Sequence, residues 1–119
     1  MEGLYSVDLV MMQDSCIDMP GDSAVSIQWD VSRAGKWYGF YHTTNHRSIP
    51  GMQTEDRIQG SNSYPQMAGY CKYEITQTID IELDSDTAFT GKLFLEFLSC
   101  AQEYCAYDYV IDGIFTSTY

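Results

Sequence analysis

Apolar and polar residues alternate one by one along most of this chain, and that period excludes more folds than any other feature of the sequence. In "LYSVDLVMM" the odd positions are Tyr5, Val7, Leu9 and Met11; in "AVSIQWDVS" they are Val25, Ile27, Trp29 and Val31. Successive side chains of an extended strand point to opposite faces, so each segment presents one apolar and one wet face. "WYGFYH", "YCKYEITQTIDIEL", "AFTGKLFLEFLSC" and "CAYDYVIDGIFTS" continue the pattern. No segment sustains a 3.6-residue period, so almost no helix is expected. Strands joined by short turns imply an all-β fold, an antiparallel up-and-down barrel or sandwich of about seven or eight strands. A chain of 119 residues suits one such domain, spanning 1–119.

The pattern also predicts pairings. If "SRAGK" turns the chain so that Val31 faces Trp37, then Gly39 lies opposite Trp29, and Trp37 and Tyr41 point inward with it. From Thr43 to Gly69 the text reads as loops around at most one short strand near Arg57. In the hairpin through "TIDIELDSD", odd residues are expected to pair with odd ones on the buried face: Leu83 with Phe89, Ile81 with Gly91, Ile79 with Leu93 and Ile75 with Phe97. Asp80 then lies outside, opposite Lys92.

Six basic residues against seventeen acidic ones give a net charge of −11. Such a surface repels phosphate backbones and offers no basic patch, which argues against nucleic-acid binding. No apolar run approaches the roughly 18 residues that cross a bilayer, and "MEGLYSVDL" has no basic leader before an apolar core, so no transmembrane segment is expected. Four cysteines, Cys16, Cys71, Cys100 and Cys105, form no C-x-x-C, and their even count points to disulfides and an oxidising compartment: secreted, periplasmic or cell-surface. Three connectivities are open. Because Cys100 and Cys105 enclose only "AQEY", the expected one joins these two and leaves Cys16 with Cys71.

Candidate sites are few. Asp80, Glu82, Asp84 and Asp86 alternate along one strand, where their carboxylates would stand about 7 Å apart and parallel, as on a solvated face. Asp84 and Asp86 could converge at the turn, and Asp14, Asp18 and Asp22 in a loop, yet neither set has EF-hand spacing. Asp80 and Glu82 sit on the outside of a hairpin, unlike a glycosidase pair flanking a bond in a cleft. His42 and His46 are the only histidines. No nucleophile elbow, zinc-protease motif or phosphate-binding loop occurs. The chain is therefore expected to be non-catalytic, with no cofactor and no metal.

The aromatic residues carry the remaining information. Trp29, Trp37, Tyr41, Tyr73, Tyr107 and Tyr109 fall on odd strand positions, where they could line an interior that holds a small hydrophobic ligand. Tyr38, Phe40, Phe94 and Leu98 fall on even positions, where they could form an outer apolar patch for a protein partner or for self-assembly. "GKWY", Gly35 to Tyr38, resembles the G-x-W kernel of lipocalins, which implies an eight-stranded barrel for small hydrophobic molecules with Trp37 on its floor. In outline the chain is also similar to secreted bacterial β-domains that open with G-x-Y-x-V, here "GLYSV", then a cysteine, and close with a Cys-bounded hairpin and a strand ending in glycine, here "CAYDYVIDG". That likeness implies secretion and a closed meander and brings no activity. The leading expectation is a secreted or surface interaction or structural assembly module, and the alternative a lipocalin-like small-molecule carrier with a tyrosine-lined interior.

Overall fold

The computed structural model describes residues 2–14, 24–101 and 103–117. Eight strands follow one another: β1 (Gly3–Asp14), β2 (Ala24–Ala34), β3 (Trp37–His42), β4 (Ser48–Thr54), β5 (Arg57–Ala68), β6 (Cys71–Ser85), β7 (Ala88–Leu98) and β8 (Tyr104–Ser117). Each pairs antiparallel with its chain neighbours, and β8 returns to β1, closing an up-and-down barrel. The molecule measures 43 × 26 × 26 Å.

The barrel interior changes parity four times along the chain, wherever an even number of residues connects paired strands: once across the six residues between Tyr41 and Ser48, and three times at tight turns. Across Gly35 and Lys36, Ala34 pairs with Trp37, so odd residues of β2 stand opposite even residues of β3. Thr54 pairs with Arg57 and Ala68 with Cys71 across equally short turns. A two-residue connection makes the sum of paired numbers odd, and inward parity must flip at each. The first residue of each turn takes a left-handed backbone: Gly35 at φ 64°, Glu55 at 59° and Gly69 at 65°.

This arithmetic corrects the expected β2–β3 register. Val31 pairs with Phe40 and Trp29 with His42, placing Tyr38 and Phe40 in the core and leaving Trp37 56% exposed and Tyr41 on the outer face. Trp37 therefore does not form a barrel floor. The 43–69 region holds two strands, β4 and β5, where at most one was expected. Their Pro50 and Pro65 lie on the exposed face. Gly60 is needed where β4 crosses close over β5, because a Cβ there would fall 1.8 Å from the Pro50 carbonyl oxygen.

The β6–β7 hairpin agrees with its expected register throughout: Leu83–Phe89, Ile81–Gly91, Ile79–Leu93, Ile75–Phe97, and outside them Asp80–Lys92. A bulge between Leu83 and Ser85 shortens the connection so that Ser85 pairs with Ala88.

Aromatic rings fill the half of the barrel near the β2–β3, β4–β5 and β6–β7 turns. Trp29 packs 5.2 Å from Phe40 and stacks 6.0 Å from Phe89, while Tyr5 lies 5.4 Å from Phe89. The Tyr5 hydroxyl reaches the Asp86 carbonyl at 3.0 Å, so its burial leaves no unpaired donor. Phe89 lies directly over Gly113 of β8.

The other end is stapled. Cys71, at the start of β6, is bonded to Cys100 in the β7–β8 turn, with Cα atoms 5.4 Å apart. This overturns the expected pairs of Cys100 with Cys105 and of Cys71 with Cys16. The reason is register: Cys105 stands within β8 opposite Phe97 and points inward, whereas Cys100 lies beyond the ladder beside the β5–β6 turn. Cys105 is oxidised as well, and Cys16 lies outside the described residues.

Candidate functional site

The acidic row that the sequence displays most clearly is a paired outer face. Arg57 of β5, two residues along from Gln59, the register partner of Asp80, and so on the same face, grips the Asp80 carboxylate with two hydrogen bonds, of 2.8 and 3.1 Å. This pairing holds the Asp80 carboxyl below its usual range, with Lys92 adding to the effect. Asp84 and Asp86 line an open cleft of about 340 Å³ with Asp56, Arg33 and Tyr38 at the aromatic end. Among the described residues, no three acids, histidines or cysteines converge as metal ligands. Asp14 has no described side chain, and Asp18 and Asp22 lie outside the described residues.

The six residues expected to line an interior do not form one set. Trp37 and Tyr41 are outside, and Trp29 is locked into the aromatic core. Tyr107 and Tyr109 are buried 6.2 Å apart, with Tyr107 edge-on to Phe97 at 5.3 Å, and half-buried Tyr73 lies further toward the stapled end. Two interior residues escaped sequence reading. Asn62 of β5 and Gln77 of β6 are register partners on the inward face, with Gln77 set between buried Ile75 and Ile79. A glutamine on the apolar parity of "YEITQTIDI" was the available signal.

At the mouth of this half, the β3–β4 connection folds around His42. The His42 Nδ1 accepts the backbone N–H groups of Thr44 and Asn45 at 3.1 and 3.2 Å. Burial, and then the nearby His46, push its pKa down. His46 takes a left-handed backbone at φ 59° and its Nδ1 meets the Tyr41 hydroxyl at 2.6 Å. Arg47 lays its guanidinium 4.1 Å over the Tyr64 ring, an attraction to the negative face of the aromatic system. Here the two histidines organise a loop.

The four residues expected in an outer patch fall on two different faces. Tyr38 and Phe40 are core, whereas Phe94 is half-buried on the outer face and Leu98 is exposed. These two join a stripe that the sequence did not reveal as one surface, because its parts come from both chain ends. Val10 of β1 and Val110 of β8 are register partners, 50% and 36% exposed, with Met12 next to them along β1. Leu98 pairs with exposed Tyr104, whose hydroxyl donates to Glu96. Beside the valine pair, Asp8 stands opposite Asp112 across the same ladder. Like charges directly opposite weaken a sheet, and the Ser26 hydroxyl, donating to Asp8 at 2.6 Å, partly offsets this.

No protein-family model and no curated protein matches the chain. Among solved structures it is similar to the sensor domain of PknI from M. tuberculosis in its monomer form, with a TM-score of 0.58 and 10% identity over 99% of this chain and 88% of that one. At that identity the likeness concerns the barrel fold.

Proposed function

We propose that this chain is a non-catalytic, extracytoplasmic interaction domain that docks a basic protein surface on the stripe of β7, β8 and β1. The observation that carries the reading is the juxtaposition of two features a fold gains nothing from. An exposed apolar pair, Val10 and Val110, lies one step from the like-charged pair Asp8 and Asp112. A partner that presents apolar side chains rimmed by lysine or arginine would bury the first and neutralise the second, and the net charge of −11 would steer its approach. The same charge disfavours a second copy of this acidic face as the occupant. The oxidised cysteines support a location outside the cytoplasm, and the likeness to a sensor domain accords with a receptor role.

The test is site-specific photo-crosslinking in the organism that makes the protein. A photoreactive phenylalanine at Val110 or Met12 is expected to give a discrete adduct that weakens in Asp8→Asn/Asp112→Asn. The same group at Ser61, exposed on β5, is expected to give none. Equal adducts at both faces, or none from the stripe, overturn the reading.

A further inference from the structure

At its aromatic end the barrel opens in a mouth whose last layer is polar. The final inward positions of β2, β3, β4 and β6 are Arg33, Tyr38, Gln53 and Leu83. Alternation puts Arg33 on the same parity as buried Val31, so a guanidinium stands on the inner wall where that wall meets solvent. Arg33 is the register partner of Tyr38 and folds over its ring, 5.3 Å from the centroid, while its Nε donates to the Gly35 carbonyl at 2.8 Å. Tyr38 stacks in turn on Phe40, and its hydroxyl donates to Gln53 at 3.1 Å. These contacts hold the arginine in place through its Nε and its flat face.

The cleft of about 340 Å³ that opens here is at the lower end of the range that holds small ligands, and barrel mouths are a common place for them. Three carboxylates line it with Arg33: Asp56 from the β4–β5 turn, Asp84 at the bulge of β6 and Asp86 from the β6–β7 turn. A cation among three anions would ordinarily pair with one of them. Among the described residues, however, the ion pair formed is Arg57–Asp80, elsewhere on the wall. Opposite charges held apart across a space of molecular size are bridged best by a guest that carries both signs. One guanidinium against three carboxylates leaves the cleft at −2, which favours a guest with one more cationic group than anionic. A plain diamine would be repelled by Arg33, and a plain carboxylate by the three acids.

From this we infer that the mouth is a binding site for a free basic amino acid of the lysine type, with one carboxylate and two ammonium groups on an apolar stem. The carboxylate docks on the Arg33 guanidinium, whose planar fork suits two parallel hydrogen bonds. The aspartates take the ammonium groups, and the methylene stem lies against Leu83. The site shares no residue with the stripe of β7, β8 and β1, so a small amine and a protein partner have separate places on the molecule.

The test follows the backbone amide signals of the intact, oxidised protein by NMR during titration with L-lysine. Two analogues each lack one charge: cadaverine has no carboxylate, and L-norleucine no side-chain ammonium. Lysine is expected to shift the signals of Gln53, Asp56, Asp84 and Asp86 to saturation, and each analogue to bind at least about tenfold more weakly, the loss of one charge-assisted contact. Arg33→Gln is expected to bring lysine down to the affinity of cadaverine, while Asp8→Asn/Asp112→Asn leaves lysine binding unchanged. Three results overturn the proposal. One is the absence of a saturable shift with lysine. Another is equal binding of either analogue, or a preference for lysine over cadaverine that survives Arg33→Gln, since the acids would then merely attract cations. The third is a lysine response at Asp8, Val10 and Asp112 in place of the mouth, which would assign amine recognition to the stripe.

Discussion

The two halves of the barrel are held in different ways. Toward the β2–β3, β4–β5 and β6–β7 turns the interior is a continuous aromatic cluster of Tyr5, Trp29, Phe40 and Phe89, each at most 2% exposed. Toward the other end the inward residues include Asn62, Gln77 and half-buried tyrosines, and a disulfide joins two neighbouring turns. Burial of apolar area stabilises the first half at roughly 25 cal/mol per Å². The second forgoes part of that term and has a covalent constraint on the unfolded chain in its place.

Removing the staple is the largest way to break this comparison. Cys71 and Cys100 lie 29 residues apart, and loop-closure entropy for such a span is about 3–4 kcal/mol. Cys71→Ala/Cys100→Ala is expected to lose most of that in urea denaturation. Hydrogen exchange should quicken first at the β5–β6 and β7–β8 turns, with amides around Phe89 the last to open. Uniform acceleration over both halves would show that they are not separately held.

In the aromatic half the corresponding lesion is Gly113→Ala. The new methyl group would fall 2.1 Å from Phe89 Cζ, and Phe89 is itself fully buried. Overpacking of this kind costs about 1–3 kcal/mol. Combined with Phe89→Leu, the loss should be clearly less than the sum of the two single losses, because both act on one contact.

Acid probes the stapled end. Neutral His42 accepts two N–H groups that its protonated form cannot accept, and its pKa in the fold lies below the ordinary 6.5. The unfolded chain therefore takes up the proton first. Stability from this group is full above pH 6.5 and is lost as pH falls from there through the depressed value. The unfolding midpoint should drop across that window, and His42→Gln should flatten the drop. An unchanged slope would remove His42 from the account of the loop.

The residues that were legible and those that were not differ in a physical way. In β6–β7 both strands carry strong alternation, and Asp80 and Lys92 fix the register from outside, so the hairpin is readable. In β2–β3 the alternation is equally strong, but "WYGFYH" is aromatic on both parities, and only the turn decides which face is buried. Two residues, Gly35 and Lys36, connect the strands and reverse the answer. β4 and β5 read as loops because Pro50, Gly51, Gly60 and Pro65 imitate turns. They serve instead at an exposed ladder face and a close crossing. The staple was misassigned because short spacing in sequence suggested proximity, whereas the ladder sets Cys105 opposite Phe97. The outer stripe was invisible because β1 meets β8 only when the barrel closes; Gln77 was signalled by its apolar parity, but its partner Asn62 could not be placed until β5 was known to be a strand.

The smallest expected effect is at Asp80, on the outside of the wall that both halves share. Its bidentate pair with Arg57 is well formed, yet the two side chains are 36% and 57% exposed, and exposed ion pairs contribute about 0–1 kcal/mol. Asp80→Asn should therefore change stability by under about 0.5 kcal/mol at neutral pH, while Ile79→Asp, one residue away on the inner face, should cost several. Asp80 has a lowered pKa, so what the pair contributes is present above the unfolded value of 3.8 and disappears as pH falls below it. Wild type and Asp80→Asn should then converge in acid and differ, slightly, only above that point. Should the asparagine variant lose as much as Ile79→Asp at pH 7, the row Asp80, Glu82, Asp84 would be part of what holds the barrel closed. Its outward alternation would then describe more than a wetted face.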